Sequence, residues 1–200
     1  MLTFEEAPHL YYWAGKPVPG VTGILAPLID LSMIPAGALE IARQKGVAVH
    51  KMIELDCHDD LNEDTLPKWM LPALAKWRTF RQDSGFTVIR SEYRVYHPVF
   101  RFAGTLDLFG EMKHSAEFVF IDAKRSFFAG EVTGIQLAAY REAYCEQEKA
   151  PWRKAKRFGL RLNENNPMRL QEYTDPAQWG EFVALLTAKR VKEKYRNERT

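Results

Sequence analysis

Cysteine is almost missing from this chain: Cys57 and Cys145 are the only two in 200 residues. Two thiols cannot build a four-cysteine zinc site or an iron–sulfur cluster, so no such cluster is expected. Nor do they make the dense set of a secreted disulfide scaffold, which points to a reducing cytoplasm. Long apolar runs are also lacking, and no stretch approaches the ~20 residues that cross a bilayer, so no membrane partner is expected. The opening stretch, MLTFEEAPHLYYWAGKPVPG, is acidic and then broken by proline and glycine, without the basic-then-apolar order of a secretory signal. Charge of one sign is scarce too: 28 Lys and Arg against 26 Asp and Glu leave a net +2. No global field announces a polyanionic partner, and any surface for one must come from local clustering. No repeat period or low-complexity tract is apparent.

What remains is an ordinary globular composition, 46% apolar and 27% charged, long enough to bury one real core. We read residues 1–200 as a single domain in four parts. Residues 1–38 are a lead-in, with a short strand or extended segment ended by GKPVPG. Residues 39–85 are helical. Leu39, Ala42, Gly46, Val49 and Ile53 recur at spacings of three and four, an inward stripe. A second helix, KWMLPALAKWRTFRQDSG, closes near Gly85. From residue 86 the period changes to alternation: FTVIRSEYRVYH, FRFAGTLDLFGEM and AEFVFIDAKRS predict three strands, the last apolar enough to be covered on both faces. A helix follows to about residue 145. Residues 146–200 hold a strand pair around the turn NENNP and a C-terminal helix. Helices, three strands, helix, two strands and helix imply an α/β chain: a central mixed β-sheet flanked by helices.

Within this frame, FVFIDAKRS places charge where burial is expected. On a strand, residues i and i+2 share a face, so Asp122 and Lys124 project together while Ile121 and Ala123 point the other way. Asp107, in GTLDLFG at the end of the preceding strand, approaches Asp122 if the two strands form a hairpin. Two neighbouring carboxylates resist ionising together, and a divalent cation relieves the repulsion by taking both as oxygen ligands. The ammonium of Lys124 can stabilise an anionic nucleophile or charge growing on a phosphate. These are the parts of metal-assisted phosphodiester hydrolysis. The tripeptide D-x-K by itself is common and more often describes a partly exposed ion pair at a strand end. Its surroundings distinguish it: a second acid one hairpin away, Gln136 and Tyr140 at i, i+4 on the following helix, and His50 and Glu54 at i, i+4 on an earlier one.

GTLD, then IDAKRS, then QLAAY resembles the G-x-x-D, D-x-K and Q-x-x-x-Y signature of the PD-(D/E)XK nuclease superfamily, in its RecB-like branch. GVAVH is similar to that branch's glycine–histidine helix motif. VTGILAPLIDLSMIPAGALEIARQKGVAVH resembles the N-terminal region of phage-encoded exonucleases and of the mitochondrial genome maintenance exonuclease. The motifs run from about residue 18 to about 145. The resemblance implies a restriction-endonuclease-like core, with residues 86–145 as its catalytic part. It implies Mg²⁺ or Mn²⁺, one or two ions, held by His50, Asp107, Asp122 and the carbonyl of Ala123, with Lys124 as the catalytic lysine. Gln136 and Tyr140 would orient the site or touch the nucleic-acid backbone. Glu92 matches an acid one strand earlier and ranks below these. Where the family often has Thr-Ser after D-x-K, this chain has Arg125-Ser126, and a guanidinium there could hold a phosphate or simply be solvated. Glu54 reads as a helix-surface acid, and His9, His58, His97 and His114 as structural.

The activity implied is a metal-dependent DNA exonuclease of phage or prophage recombination, repair or replication, in the cytoplasm of a bacterial or phage-infected cell. Its partner would be DNA, with a single-strand annealing or binding protein as a further one. The alternative is a non-catalytic nucleic-acid-binding subunit that keeps the fold, although such a chain would usually have lost an acid or the lysine. An iron–sulfur nuclease would need four cysteines. The stretch KAPWRKAKRFGLR adds a candidate DNA track: Arg153, Lys154, Lys156 and Arg157 for phosphates, with Trp152 and Phe158 interleaved.

Overall fold

The computed structural model describes residues 1–125, 130–163 and 165–197. The lead-in is more structured than expected. It folds into its own antiparallel sheet of β1 (Leu2–Glu5), β2 (Leu10–Trp13) and β3 (Lys16–Val18). Trp13 pairs with Lys16, so Ala14 and Gly15 form a two-residue hairpin loop. Both have positive φ, 49° and 75°, as the favoured tight hairpin turn demands. Strands of three and four residues are too short for alternation to register, which is why the sequence pattern did not separate them.

Helix α1 (Val21–Leu25) buries Val21, Ile24 and Leu25. Helix α2 (Ala36–Cys57) matches its expected span. Only the second half of its stripe reaches the core: Val49 and Ile53 are buried, Leu39 and Gly46 half-buried, and Ala42 exposed. Helix α3 (Leu71–Ser84) follows a 3₁₀ turn at Lys68–Met70 and stops at Gly85, whose φ of +62° is the left-handed C-terminal cap.

The change of period at residue 86 is the change from helix to sheet. Strands β4 (Phe86–His97), β5 (Phe102–Met112) and β6 (Glu117–Lys124) form an antiparallel meander. Helix α4 (Glu131–Glu148) then crosses over, so that β7 (Lys156–Arg161) lies parallel to β6, and β8 (Arg169–Glu172) pairs antiparallel with β7. Helix α5 (Gln178–Asn197) closes the described chain. The sheet order β4-β5-β6-β7-β8 with one parallel pair is the mixed sheet that the element order implied.

Each face of this sheet carries its own core. Phe109 and Phe120 join α1, α4 and α5 on one side, while Leu108, Val119, Ile121 and Ala123 join α2 and α3 on the other. The strand β6 is thus covered on both faces, as its apolar run predicted. The small sheet is fastened to the large one by Tyr11, whose hydroxyl lies 2.9 Å from Thr105 Oγ1, and by the amide of Ala103 donating to the carbonyl of Pro19. Among the described residues no helix is long and apolar enough to cross a membrane.

Candidate functional site

The D-x-K strand behaves as its period requires. Val119, Ile121 and Ala123 enter the α2–α3 core, while Phe120 enters the opposite one. Asp122 and Lys124 share a face, and Lys124 Nζ lies 3.0 Å from Asp122 Oδ1 and 2.9 Å from Oδ2. Only Oδ1 accepts with hydrogen-bond geometry. Oδ2 is buried without a hydrogen-bond partner, in a side chain that is 1% exposed.

Strands β5 and β6 form the required hairpin. Leu108 pairs with Ile121, so Asp107 and Asp122 are level one step further along. Asp107 Oδ2 accepts from the amide of Ala123 at 2.8 Å. Strand β5 rolls at this residue: Leu106 belongs to the α4 core and Leu108 to the α2–α3 core, although a regular strand would keep both on one face. The partner strand is distorted at the same level. β4 carries a register shift between Val88 and Arg90, and Glu92, flanked by the pairs Ser91–Leu108 and Tyr93–Leu106, has φ +44°. A non-glycine residue in that region is costly and needs surrounding structure to hold it.

The distortion brings a third carboxylate to the site. Glu92 Oε1 lies 3.0 Å from His50 Nδ1, and Asp107 Oδ2 lies 3.7 Å from the same nitrogen. His50 comes from α2, three residues before the buried Ile53 and one after the buried Val49, so the core-facing turn of that helix delivers the imidazole to the sheet. His50, Glu92 and Asp107 each offer one ligand atom, all within 4.8 Å of one another. Ala123, Leu108, Ile53, Ser91 and Glu54 complete the lining of the cleft. Glu54 is half-buried there and paired with Lys51 at 2.8 Å.

Protonation in this cluster reflects crowding. Burial pushes the Asp122 carboxyl up to about 6, with Asp107 adding to the rise and Lys124 opposing it. Burial likewise raises Asp107; His50 opposes and Glu92 reinforces. For His50 burial acts downward, but the charge of Asp107 and the bond to Glu92 outweigh it and hold the imidazole up at about 9. Lys124 shows the same balance: burial lowers it, Asp122 and Asp107 raise it further, and the ammonium is retained. Three carboxylates thus share two cationic side chains, with one buried oxygen left over. This donor set, carboxylate oxygens and one imidazole, fits a divalent cation.

The second layer is formed by α4. Gln136 Nε2 donates to the hydroxyl of Tyr140 at 3.1 Å. Tyr140 is buried, and its pKa lies well above the ordinary phenol value, through burial first and then the charge of Asp107. Its ring also explains the glycine of GTLD: a Cβ on Gly104 would sit 2.5 Å from Tyr140 Cε1.

The remaining candidates are placed as follows. Arg125 follows Lys124 directly and its guanidinium stands 5.7 Å from the centre of the Trp69 ring. Ser126 lies outside the described residues. The basic stretch runs into β7 alongside β6: Lys156 pairs with Val119 and Arg157 with Phe120, toward the far end, whereas Arg161, its last residue, pairs with Lys124. Most of its charge is already engaged, Arg153 by Glu142 and Glu146, and Lys156 by Glu117 at 2.6 Å. Arg157 is buried and donates to the carbonyls of Gly134 and Asp175, while Lys154 has neither ion pair nor hydrogen bond among the described residues. His58, His97 and His114 are occupied by Ser91, the Trp179 ring and the carbonyl of Asp83, and His9 packs on Phe4.

No protein-family model matches the sequence, and no curated protein matches it. Among solved structures the chain is similar to LHK-Exo in the crystal structure of its complex with dAMP. The TM-score is 0.43 at 11% identity, over 91% of this chain and 90% of that one.

Two features at the cleft go beyond the sequence pattern. Glu92, ranked there below the other candidates, stands beside His50 from a left-handed backbone position on β4, which no alternation shows. Trp69, which reads as packing, carries Lys45 on its ring as well as Arg125, with Lys45 Nζ 5.2 Å from the centroid.

Proposed function

We propose that residues 1–200 form one metal-dependent DNA nuclease domain of the PD-(D/E)XK type, RecB-like, that hydrolyses phosphodiester bonds as an exonuclease in phage or prophage recombination, repair or replication. The observation that carries this reading is the level placement of Asp107 and Asp122 on neighbouring strands, with Lys124 against Asp122 and one buried carboxylate oxygen unsatisfied. A structural ion pair would have no use for the second acid, because a buried carboxylate without full compensation costs stability.

Asp107, Asp122, His50 and Glu92 would hold the cation, with the Ala123 carbonyl as a further donor. When bound, the cation supplies Lewis-acid polarisation of a phosphoryl oxygen and a lowered pKa for water. The chain's own groups do the rest. Lys124 holds a fixed ammonium in a site largely screened from solvent, where charge accumulates on the phosphorus oxygens as water adds and the P–O bond to the leaving nucleotide breaks. The Glu92 carboxylate holds the His50 imidazole in place through Nδ1 until a cation takes the place of that nitrogen's proton. Gln136 and Tyr140 back the acids from α4 and keep bulk water from that side.

The test is incubation with end-labelled single- and double-stranded DNA in Mg²⁺, Mn²⁺ or EDTA. Cleavage with either metal and none in chelator is expected. Full cleavage in chelator would sink the mechanism, and tight binding without cleavage would assign the chain to the non-catalytic alternative.

A further inference from the structure

Strand β7 carries Arg157 and Arg161 on one face. The residues between and after them, Phe158, Leu160 and Leu162, enter the α2–α3 core, so both arginines are on the α4 side. Arg157 is engaged there: it is buried, and its guanidinium donates to the carbonyls of Gly134 and Asp175 at 3.0 and 2.9 Å. Arg161 is not. It is half-buried, and its Nε is shut off from solvent without a hydrogen-bond partner. Among the described residues its side chain makes one weak bond, from Nη2 to the carbonyl of Pro167 at 3.4 Å.

The register surrounds Arg161 with charge of its own sign. It pairs with Lys124 of β6 on one side and with Arg169 of β8 on the other. Paired residues of neighbouring strands share a face and stand about 5 Å apart. Three cationic residues therefore form one row, level across β6, β7 and β8. Lys124 has Asp122, whereas among the described residues no carboxylate lies within ion-pair distance of Arg161 or of the exposed Arg169. Like charges directly opposite in a sheet are destabilising, and a row of them suits a ligand with repeated negative charge. Because the row begins at the lysine of the carboxylate site, such a ligand would extend from that site, as a nucleic-acid backbone does.

We propose that Arg161 and Arg169 hold backbone phosphates of the bound DNA strand, which runs from the carboxylates past Lys124 and across β7 to the edge strand β8. Each guanidinium offers a planar fork suited to two phosphate oxygens. Phosphate contacts of this kind fix the position of the strand and carry no sequence preference. The track rests on the nuclease reading, since it takes the same strand as its ligand.

The experiment measures affinity for a labelled single-stranded oligonucleotide over a salt series, with Asp122→Asn as the uncleaving parent. Arg161→Gln should weaken binding roughly tenfold and flatten the slope of log affinity against log salt by ~0.7. Arg161→Lys, which keeps the charge and loses the fork, should restore the slope but only part of the affinity. Arg169→Gln should flatten the slope by ~0.7 as well, and the double variant by ~1.4. Lys113→Gln removes a charge from the exposed turn at the opposite end of β6 and should leave the slope unchanged, which separates the track from net charge. The melting temperatures of both arginine variants should hold or rise, because facing like charges are relieved. Unchanged slopes in Arg161→Gln and Arg169→Gln would overturn the proposal. Loss of affinity for a poly-aspartate peptide, with none lost for the oligonucleotide, would overturn it too, by assigning the row to an acidic protein segment. The two readings fail differently: wild-type cleavage with indifferent arginine variants removes the track alone, whereas the predicted slopes in a chain that never cleaves remove hydrolysis and leave the track.

Discussion

Asp56 and Asp122 are both buried aspartates in the same chain, 6% and 1% exposed, and their surroundings are opposite. Asp56, on α2, accepts from Trp77 Nε1 at 2.8 Å, Arg78 Nε at 2.9 Å and Arg81 at 3.1 Å. Both its oxygens are used, and it ties α2 to α3. Asp122 has one lysine, one unsatisfied oxygen and a second aspartate beside it. A buried acid that stabilises a fold is surrounded by donors. A buried acid left short of donors and next to its own kind is held against its preference, and the missing donor is most simply a ligand.

Crossed substitutions would test that contrast. The largest effect is expected at Asp122: on the proposed mechanism Asp122→Asn should lower cleavage by about three orders of magnitude or more, because it would remove a ligand charge at the reacting centre. Its metal-free melting temperature should hold steady or rise, since an uncompensated buried charge is gone. A large fall in stability would make Asp122 structural after all. Lys124→Ala should slow cleavage by about two to three orders of magnitude while calorimetry still records cation binding. Near-normal turnover would reduce the lysine to an ion-pair partner. At Asp56 the pattern should reverse. Asp56→Ala leaves the buried Trp77 indole N–H without its acceptor and takes one partner from Arg78 and Arg81, and should cost about 3 kcal/mol in a urea melt, with the turnover of the folded fraction unchanged.

The smallest effect is a pH dependence. With no cation bound, His50 is held at about 9, above its ordinary 6.5, so an incoming cation must displace its proton. Apparent cation affinity should rise about tenfold per pH unit up to roughly 9 and level off above. Below about 6 the proton on Asp122 should steepen the dependence. Mn²⁺ titration by calorimetry, without DNA, reads this directly. An affinity independent of pH between 6 and 9 would remove His50 from the ligand set.

Much of this was legible in the residue order, and for identifiable reasons. A period of two puts Asp122 and Lys124 on one face whatever else the chain does. The hairpin that levels Asp107 with Asp122 needed only two apolar runs and a short turn between them. The span of α2 followed from spacing at three and four, although the pattern could not tell that its first half lacks a partner. Glu92 was harder: in a regular strand it would point with Arg90 and Arg94, and only the bulge and a left-handed backbone redirect it to His50. The basic stretch around Arg153 was legible as charge but not as available charge, because Glu142, Glu146 and Glu117 lie on other elements. The lead-in concealed a sheet whose strands are shorter than the period that would reveal them.

The parallel pairing of β6 with β7 has a consequence for the order of events in a growing chain. Lys124 lies just past the part of β6 that pairs with a strand made before it; its own partner is Arg161, made only after the whole of α4, and its carbonyl accepts from the amide of Leu162. Synthesis runs from the N-terminus at about 5–20 residues per second, so the acids and the lysine leave the ribosome seconds before the wall that fixes their geometry. A half-made chain would carry both aspartates and the lysine on a finished hairpin, with the second half of the sheet still to close beside them.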